Sequence, residues 1–292
     1  MEARTVSMGR IQDARRRVRD YTMPPDFCAV FNDDLDHLYT LSLLLTADHQ
    51  KAEQCFVAGL EDCLQGNPGG GMRSQDFIFW EVDVQVDFML PGGKLYVPGA
   101  EKLLPNIRRL TDAARRDEVF LVSHGCFHPS NDPEFKQFPP HCLKGSAGAE
   151  FLPEALTDNC VRIENDPALN LPEDLSKYQQ IVLEKQTLDI FQSHHADALV
   201  ERLGSAAEFV VFGVVTEYCV SYAVKGLLQR KRRVAVVRDA IETVAAEVGE
   251  KTLAEFRSLG ARVVTTDEVL AEVARARNQQ LEIPQFVRDD KT

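Results

Sequence analysis

Three side chains that could share one reaction stand at the ends of apolar runs in this sequence. Asp83 follows FIFWEV, Lys185 closes QIVLEK, and Cys219 lies just beyond EFVVFGVVTEY. A thiol, a carboxyl and an ammonium together make a nucleophile, its base, and a charge that steadies both. Cys219 is the most informative of the three, because a strand and a tight turn precede it and helical periodicity begins at it, in CVSYAVKGLLQR. The start of a helix presents unpaired N–H groups and the positive end of the helix dipole. Both stabilise a thiolate, and the same N–H groups can receive the oxyanion formed when sulfur attacks a carbonyl. The spacing therefore predicts that the helix terminus and Lys185 depress the pKa of Cys219, with Asp83 taking its proton. Taken singly, each residue has a plainer use: a small buried hydrophobe, a turn or cap residue, a solvated amine. Their coincidence at three strand ends is what points to a site.

A second cluster falls in SHGCFHPSNDPEFKQFPPHC, residues 123–142. It holds His124, Cys126, His128, Glu134, His141 and Cys142, a mixture of thiol, imidazole and carboxylate donors that suits zinc. The alternative is a loop whose histidines only cap and hydrogen-bond.

The elements that would carry these residues alternate in type. FIFWEVDVQ, EVFLVSH, YQQIVLEK, EFVVFGVV, RRVAVVRDA and ARVV read as short apolar strands. GAEKLLPNIRRLTDAARR, HADALVERLGS, CVSYAVKGLLQR and TTDEVLAEV read as helices, the first with Pro105 near its first turn and the second ended by glycine. Strands alternating with helices imply an α/β fold, a three-layer doubly wound parallel sheet over about residues 76–275. Such sheets bind ligands beyond the carboxyl ends of their strands, which is where Asp83, Lys185 and Cys219 fall. Ahead of this domain, residues 65–75 (QGNPGGGMRSQ) form a Gly-rich linker. Residues 1–64 form an N-terminal helical extension, with HLYTLSLLLTADHQKAEQCFVAGLEDCLQ as a helical hairpin. Residues 276–292 form a C-terminal tail.

VDVQVDF (82–88), LEKQTLDIF (183–191) and GVVTEYCV (213–220) resemble the three motifs of the isochorismatase-like cysteine hydrolases, the family that includes nicotinamidases. The resemblance covers roughly residues 76–275 and implies an isochorismatase-like hydrolase fold. It implies Asp83, Lys185 and Cys219 as a catalytic triad and a cis peptide at Val214–Val215. The N–H groups of Val215 and Cys219 would form the oxyanion hole. It further implies that Phe88 and Phe138 sandwich an aromatic ring of the substrate. Cys126, His128, Glu134 and His141 would hold one divalent metal, zinc by donor type. Cys126 and Glu134 replace an aspartate and a histidine of the family pattern. The implied reaction is hydrolysis of a small-molecule carboxamide through a cysteine thioester, nicotinamide to nicotinate and ammonia. The alternatives are another amidase, a ureidohydrolase or an N-carbamoyl hydrolase of the family, or a non-catalytic regulatory or binding protein on the same scaffold. A homo-oligomer is also implied.

Bulk composition sets the remaining bounds. The chain has 292 residues, 44% hydrophobic and 27% charged, an ordinary globular balance. A net charge of −12 argues against a nucleic-acid-binding surface. Seven cysteines, an odd number without a secreted framework, suggest reduced thiols and a cytoplasmic protein. No run is apolar enough to predict a membrane span or a secretory signal. No P-loop, and no GxGxxG opening a helix after a strand, predicts a nucleotide cofactor.

Overall fold

The structure, a computed structural model, describes residues 76–281. The expected helical extension, the Gly-rich linker and residues 282–292 of the expected tail lie outside the described residues. Within them, seven strands form one parallel sheet: β1 (Phe77–Val82), β2 (Phe120–Cys126), β3 (Cys160–Ile163), β4 (Gln180–Lys185), β5 (Glu208–Val214), β6 (Arg233–Glu242) and β7 (Arg262–Val264). Their spatial order is β3-β4-β2-β1-β5-β6-β7, every neighbouring pair parallel. The helices are α1 (Val86–Met89), α2 (Leu104–Arg115), α3 (Ala196–Arg202), α4 (Cys219–Gln229), α5 (Ala246–Ser258) and α6 (Thr266–Leu281).

The period-two alternation of strands sorts side chains between two apolar cores. Phe77 and Phe79 of β1 join one, with Ile107 and Leu110 of α2 and Val269 and Val273 of α6. Ile78, Trp80 and Val82 join the other, with Leu199 of α3, Val220, Ala223 and Val224 of α4, and Phe256 of α5. Both sheet faces are thus covered, which is why the central strands read as continuous apolar runs. Among the described residues no helix is long and apolar enough to cross a membrane.

The chain runs outward from β1 through β2 to the β3 edge, then returns to place β5 on the other flank of β1. That reversal opens a crevice at the carboxyl ends of β1 and β5. Gly213 makes the two strands' close approach there possible. It pairs with Val82 at a φ of 114°, and a Cβ at this position would stand 2.0 Å from the Val82 carbonyl oxygen.

Two elements depart from the sequence expectation. β3 lies in what reads as a long irregular stretch; it is a four-residue edge strand with Cys160 and Arg162 exposed, so it lacks an apolar run. Helix α5 follows β6 where no helix is expected, because few of its residues, Gly249, Thr252 and Phe256, are buried. The last helix also runs past residue 275, the expected end of the domain, to Leu281.

One buried acid at the sheet centre gives a stability prediction. Glu81 is fully buried and accepts a 2.6 Å hydrogen bond from Ser123 Oγ, which in turn accepts one of 2.7 Å from Gln180 Nε2. Burial pushes the Glu81 pKa up to about 8 from 4.5, against the lowering effects of Ser123 and Arg115. Its contribution is therefore fully present below pH 4.5 and is lost as pH rises to about 8, where the buried carboxyl must ionise. Glu81→Gln removes that titration. Its stability relative to wild type should climb between pH 5 and pH 8, by on the order of 3 kcal/mol at pH 7. Thermal melts across this range check it, and parallel curves for the two proteins would contradict it.

Candidate active site

Asp83 follows β1 directly and adopts a left-handed φ of 53°. This conformation is uncommon outside glycine but open to aspartate. The backbone holds it through Asp83 N–H to the His124 carbonyl (2.9 Å) and Gln85 N–H to the Asp83 carbonyl (2.8 Å). The turn brings the carboxylate back over the sheet end. Lys185 is the last residue of β4, and Cys219 the first of α4. The three side chains converge: Lys185 Nζ lies 3.0 Å from Asp83 Oδ2 and 3.5 Å from Cys219 Sγ. A third partner was not foreseen in this role, Cys126 Sγ at 2.9 Å from the same nitrogen.

Burial dominates the electrostatics, with Asp83, Lys185 and Cys219 1%, 0% and 5% exposed. Desolvation alone would lower the pKa of the Lys185 ammonium; Asp83 and the two sulfurs outweigh it and hold it well above the ordinary range. For Cys219 the outcome reverses the expectation. Burial, reinforced by the Asp83 carboxylate, raises the thiol well above its usual range, against the lowering effect of Lys185. Cys219 therefore rests as a thiol, not as a preformed thiolate. Sequence spacing reveals a helix terminus but not how dry its surroundings are.

Asp83, Cys126 and Cys219 face a cavity of about 280 Å³. Asp83, Cys126, Cys219, Val214 and Val215 line one part of it, and Phe88, Phe138, Tyr96, Leu188 and Val244 the apolar remainder. The Val214–Val215 peptide is cis, as the resemblance implied. Phe88 and Phe138 both reach the cavity. Phe88 stands edge-on to His141 with centroids 5.3 Å apart, and Phe138 edge-on to Tyr218 at 6.3 Å.

Of the expected metal ligands, Cys126, His128 and His141 gather, their donor atoms within 4.8 Å of one another and all three residues buried. Glu134 is not one of that group; its half-buried carboxyl lines the same cavity, and desolvation raises its pKa. The histidines are oriented for ligation. His128 Nδ1 pairs with Asp132 Oδ2 at 2.9 Å and His141 Nδ1 with the Pro139 carbonyl at 2.8 Å, so Nε2 of each is the ring atom left to bind. His128 Nε2 is buried without a hydrogen-bond partner. An orphaned imidazole nitrogen beside a thiol and a second imidazole fits a borderline-soft divalent ion.

Asp132 and Gln85 support this candidate site and were missed by sequence reasoning. Asp132 is the carboxylate behind the His128 imidazole, as an orienting partner stands where a histidine holds a metal. Its signal was the Asn-Asp-Pro turn, where Asp132 also accepts the Glu134 N–H. Gln85 fixes Cys126 from both sides, its Nε2 donating to the Cys126 carbonyl (2.8 Å) and its Oε1 accepting the Cys126 N–H (2.8 Å). Gly125 leaves room for this amide; a Cβ there would lie 2.7 Å from Gln85 Oε1.

Comparison with known proteins bears on the family and the fold. The family model described as the isochorismatase domain matches residues 81–169 and 161–268. The nicotinamidase of Escherichia coli (strain K12) is 24% identical over 207 residues, covering 63% of this chain and 92% of that protein. A probable inactive nicotinamidase of Arabidopsis thaliana is 23% identical over 203 residues, covering 66% of this chain and 94% of that protein. The crystal structure of the pyrazinamidase of Pyrococcus horikoshii in complex with zinc superposes with a TM-score of 0.52 at 25% identity. That match covers 65% of this chain and 99% of that one.

The buried ion pair carries a direct prediction. Asp83→Asn leaves the Lys185 ammonium without its carboxylate and should destabilise the fold by about 3–5 kcal/mol. Adding Lys185→Met removes the stranded charge and should restore most of the loss. Denaturant titration of the two single variants and the double variant checks this cycle. Additive losses would mean that the two side chains do not stabilise each other.

Proposed function

The chain belongs to the isochorismatase-domain family, and from that premise we propose that it hydrolyses a small-molecule carboxamide through a Cys219 thioester, nicotinamide to nicotinate and ammonia being the leading reaction. The observation that carries this reading is a thiol and a carboxylate that share one buried ammonium and line an apolar cavity of about 280 Å³, ample for a single-ring amide. The site residues fall within a hydrolase domain of about residues 76–275.

Cys219 Sγ attacks the carboxamide carbon while Asp83 accepts the thiol proton. Because the resting thiol is neutral, proton loss and attack go together, which makes a positioned base indispensable. The N–H groups of Val215 and Cys219 receive the developing oxyanion. The C–N bond breaks as Asp83 returns the proton to the leaving ammonia. Water, giving its own proton to Asp83, then opens the thioester and regenerates the thiol. Lys185 holds the Asp83 carboxylate in place throughout. Phe88 and Phe138 flank the ring of the bound amide. The aromatic edges and apolar wall exclude water from the sulfur.

Cys126, His128 and His141 would hold one divalent ion, zinc by donor type, with Glu134 in the adjacent wall. When bound, the ion supplies a Lewis-acidic contact for a polar atom of the substrate. Cys126, where the family pattern has an aspartate, favours a second reading, in which the amide is a different one: a linear amide, a ureido compound or an N-carbamoyl compound.

Two measurements follow. Cys219→Ala should lower ammonia release from the preferred amide by about three orders of magnitude or more while leaving the melting temperature nearly unchanged. A panel of nicotinamide, pyrazinamide, aliphatic amides and N-carbamoyl acids separates the readings; amidase activity retained in Cys219→Ala sinks the mechanism. Elemental analysis should find about one zinc per chain in wild type and none in His128→Ala. Asp132→Ala should weaken retention by roughly 10- to 100-fold in chelator competition. Equal metal content in all three proteins would refute the assignment.

A further inference from the structure

His124 is the site's least explained residue. It stands in β2 beside Asp83 and is completely buried, yet among the described residues neither ring nitrogen has a hydrogen-bond partner. A ring serving only to fill space at this depth would strand two polar atoms at appreciable cost. Its Nδ1 lies 3.9 Å from Asp83 Oδ1, which is itself buried and unpartnered, while Lys185 holds the other carboxylate oxygen, Oδ2, at 3.0 Å. The Trp80 ring, its centroid 5.9 Å from that of the imidazole, limits where His124 can go. Nδ1 of an imidazole can carry an N–H, and the buried Oδ1 of Asp83 is an acceptor on the same side of the ring.

We propose that His124 is a positioning residue for Asp83: its Nδ1–H binds Oδ1 during the reaction, directly or through one water, so that His124 and Lys185 grip the carboxylate from both sides. The separation is too long for a hydrogen bond at rest. Catalytic contacts of this kind often tighten only once substrate is bound. Gripped at both oxygens, the carboxylate cannot rotate away from the Lys185 ammonium that it shares with the Cys219 sulfur. The inference rests on the cysteine-hydrolase reading of the same site.

The first test needs no variant. Long-range ¹⁵N–¹H NMR of the histidine side chains should show His124 in its Nδ1-protonated neutral form; the Nε2-protonated form overturns the proposal. In the second, His124→Leu should lower kcat on the best amide by on the order of 10- to 100-fold with KM little changed. His124→Asn, whose side-chain N–H₂ can replace the Nδ1 donor, should keep most of the activity. Iodoacetamide alkylation of Cys219, followed by mass spectrometry, should fall in parallel in His124→Leu and recover in His124→Asn. Leu and Asn variants that melt like wild type and lose the same amount, or lose nothing, overturn the role. A wild-type protein that releases ammonia from no amide defeats the amidase reading instead, and the alkylation and NMR results then decide the role of His124.

Discussion

An ammonium group sealed from water at the heart of the sheet end is the constraint around which the site is built. Lys185 is wholly buried and its Nζ touches Asp83, Cys126 and Cys219. An isolated charge in such a place would cost several kcal/mol, so its neighbours cannot be chosen freely. One must be a carboxylate to hold the proton on the amine. The others must be groups that tolerate the same dry surroundings, and thiols do. Once Lys185 occupies the last position of β4, Asp83 must turn back over the end of β1, and the positive φ at Asp83 follows from that demand.

The sheet makes these demands compatible. Three parallel strands end at one level, and the return of the chain across β1 places β5 where α4 can begin directly behind the cavity. Gly213 allows the close approach of β5 to β1, and Gln85 ties the turn after β1 to the end of β2. The two apolar cores on either face, with their aromatic and branched side chains, supply the rigidity. At the carboxyl ends of its central strands this framework buries Asp83 and Lys185 as a pair, as charges in so dry a place must be.

Much of this was legible in the sequence, and what was not has a physical reason. Motifs at strand ends are local: a short apolar run followed by Asp83, Lys185 or Cys219 announces both the strand and the side chain that leaves it. Parallel topology then makes those ends converge without further information. The state of Cys219 was not legible, because it depends on how thoroughly residues distant in sequence exclude water. Nor was β3, an edge strand whose exposed residues obscure any pattern. The Cys126, His128 and His141 group was partly legible from donor type. Glu134 fits the donor set by chemistry, yet the chain path carries it to the cavity wall rather than into the Cys126, His128 and His141 group. Asp132 escaped notice because its four-residue spacing from His128 falls in a loop, where no helical periodicity marks it.

The three-way contact of Lys185 also joins two features that appear separate in sequence. Cys126 belongs to the His128 and His141 group and, at 2.9 Å, to the ammonium that holds Asp83. Its backbone is clamped by Gln85 and its sulfur by Lys185, so it has little freedom to shift toward one partner without disturbing the other. An aspartate at this position would place a second carboxylate against Lys185, competing with Asp83 for the same protons. A thiol contributes a softer donor to the histidine pair and a weaker pull on the ammonium. Cys126 therefore couples the His128 and His141 group to the charge balance around Lys185, and Asp83 remains the principal partner of Lys185.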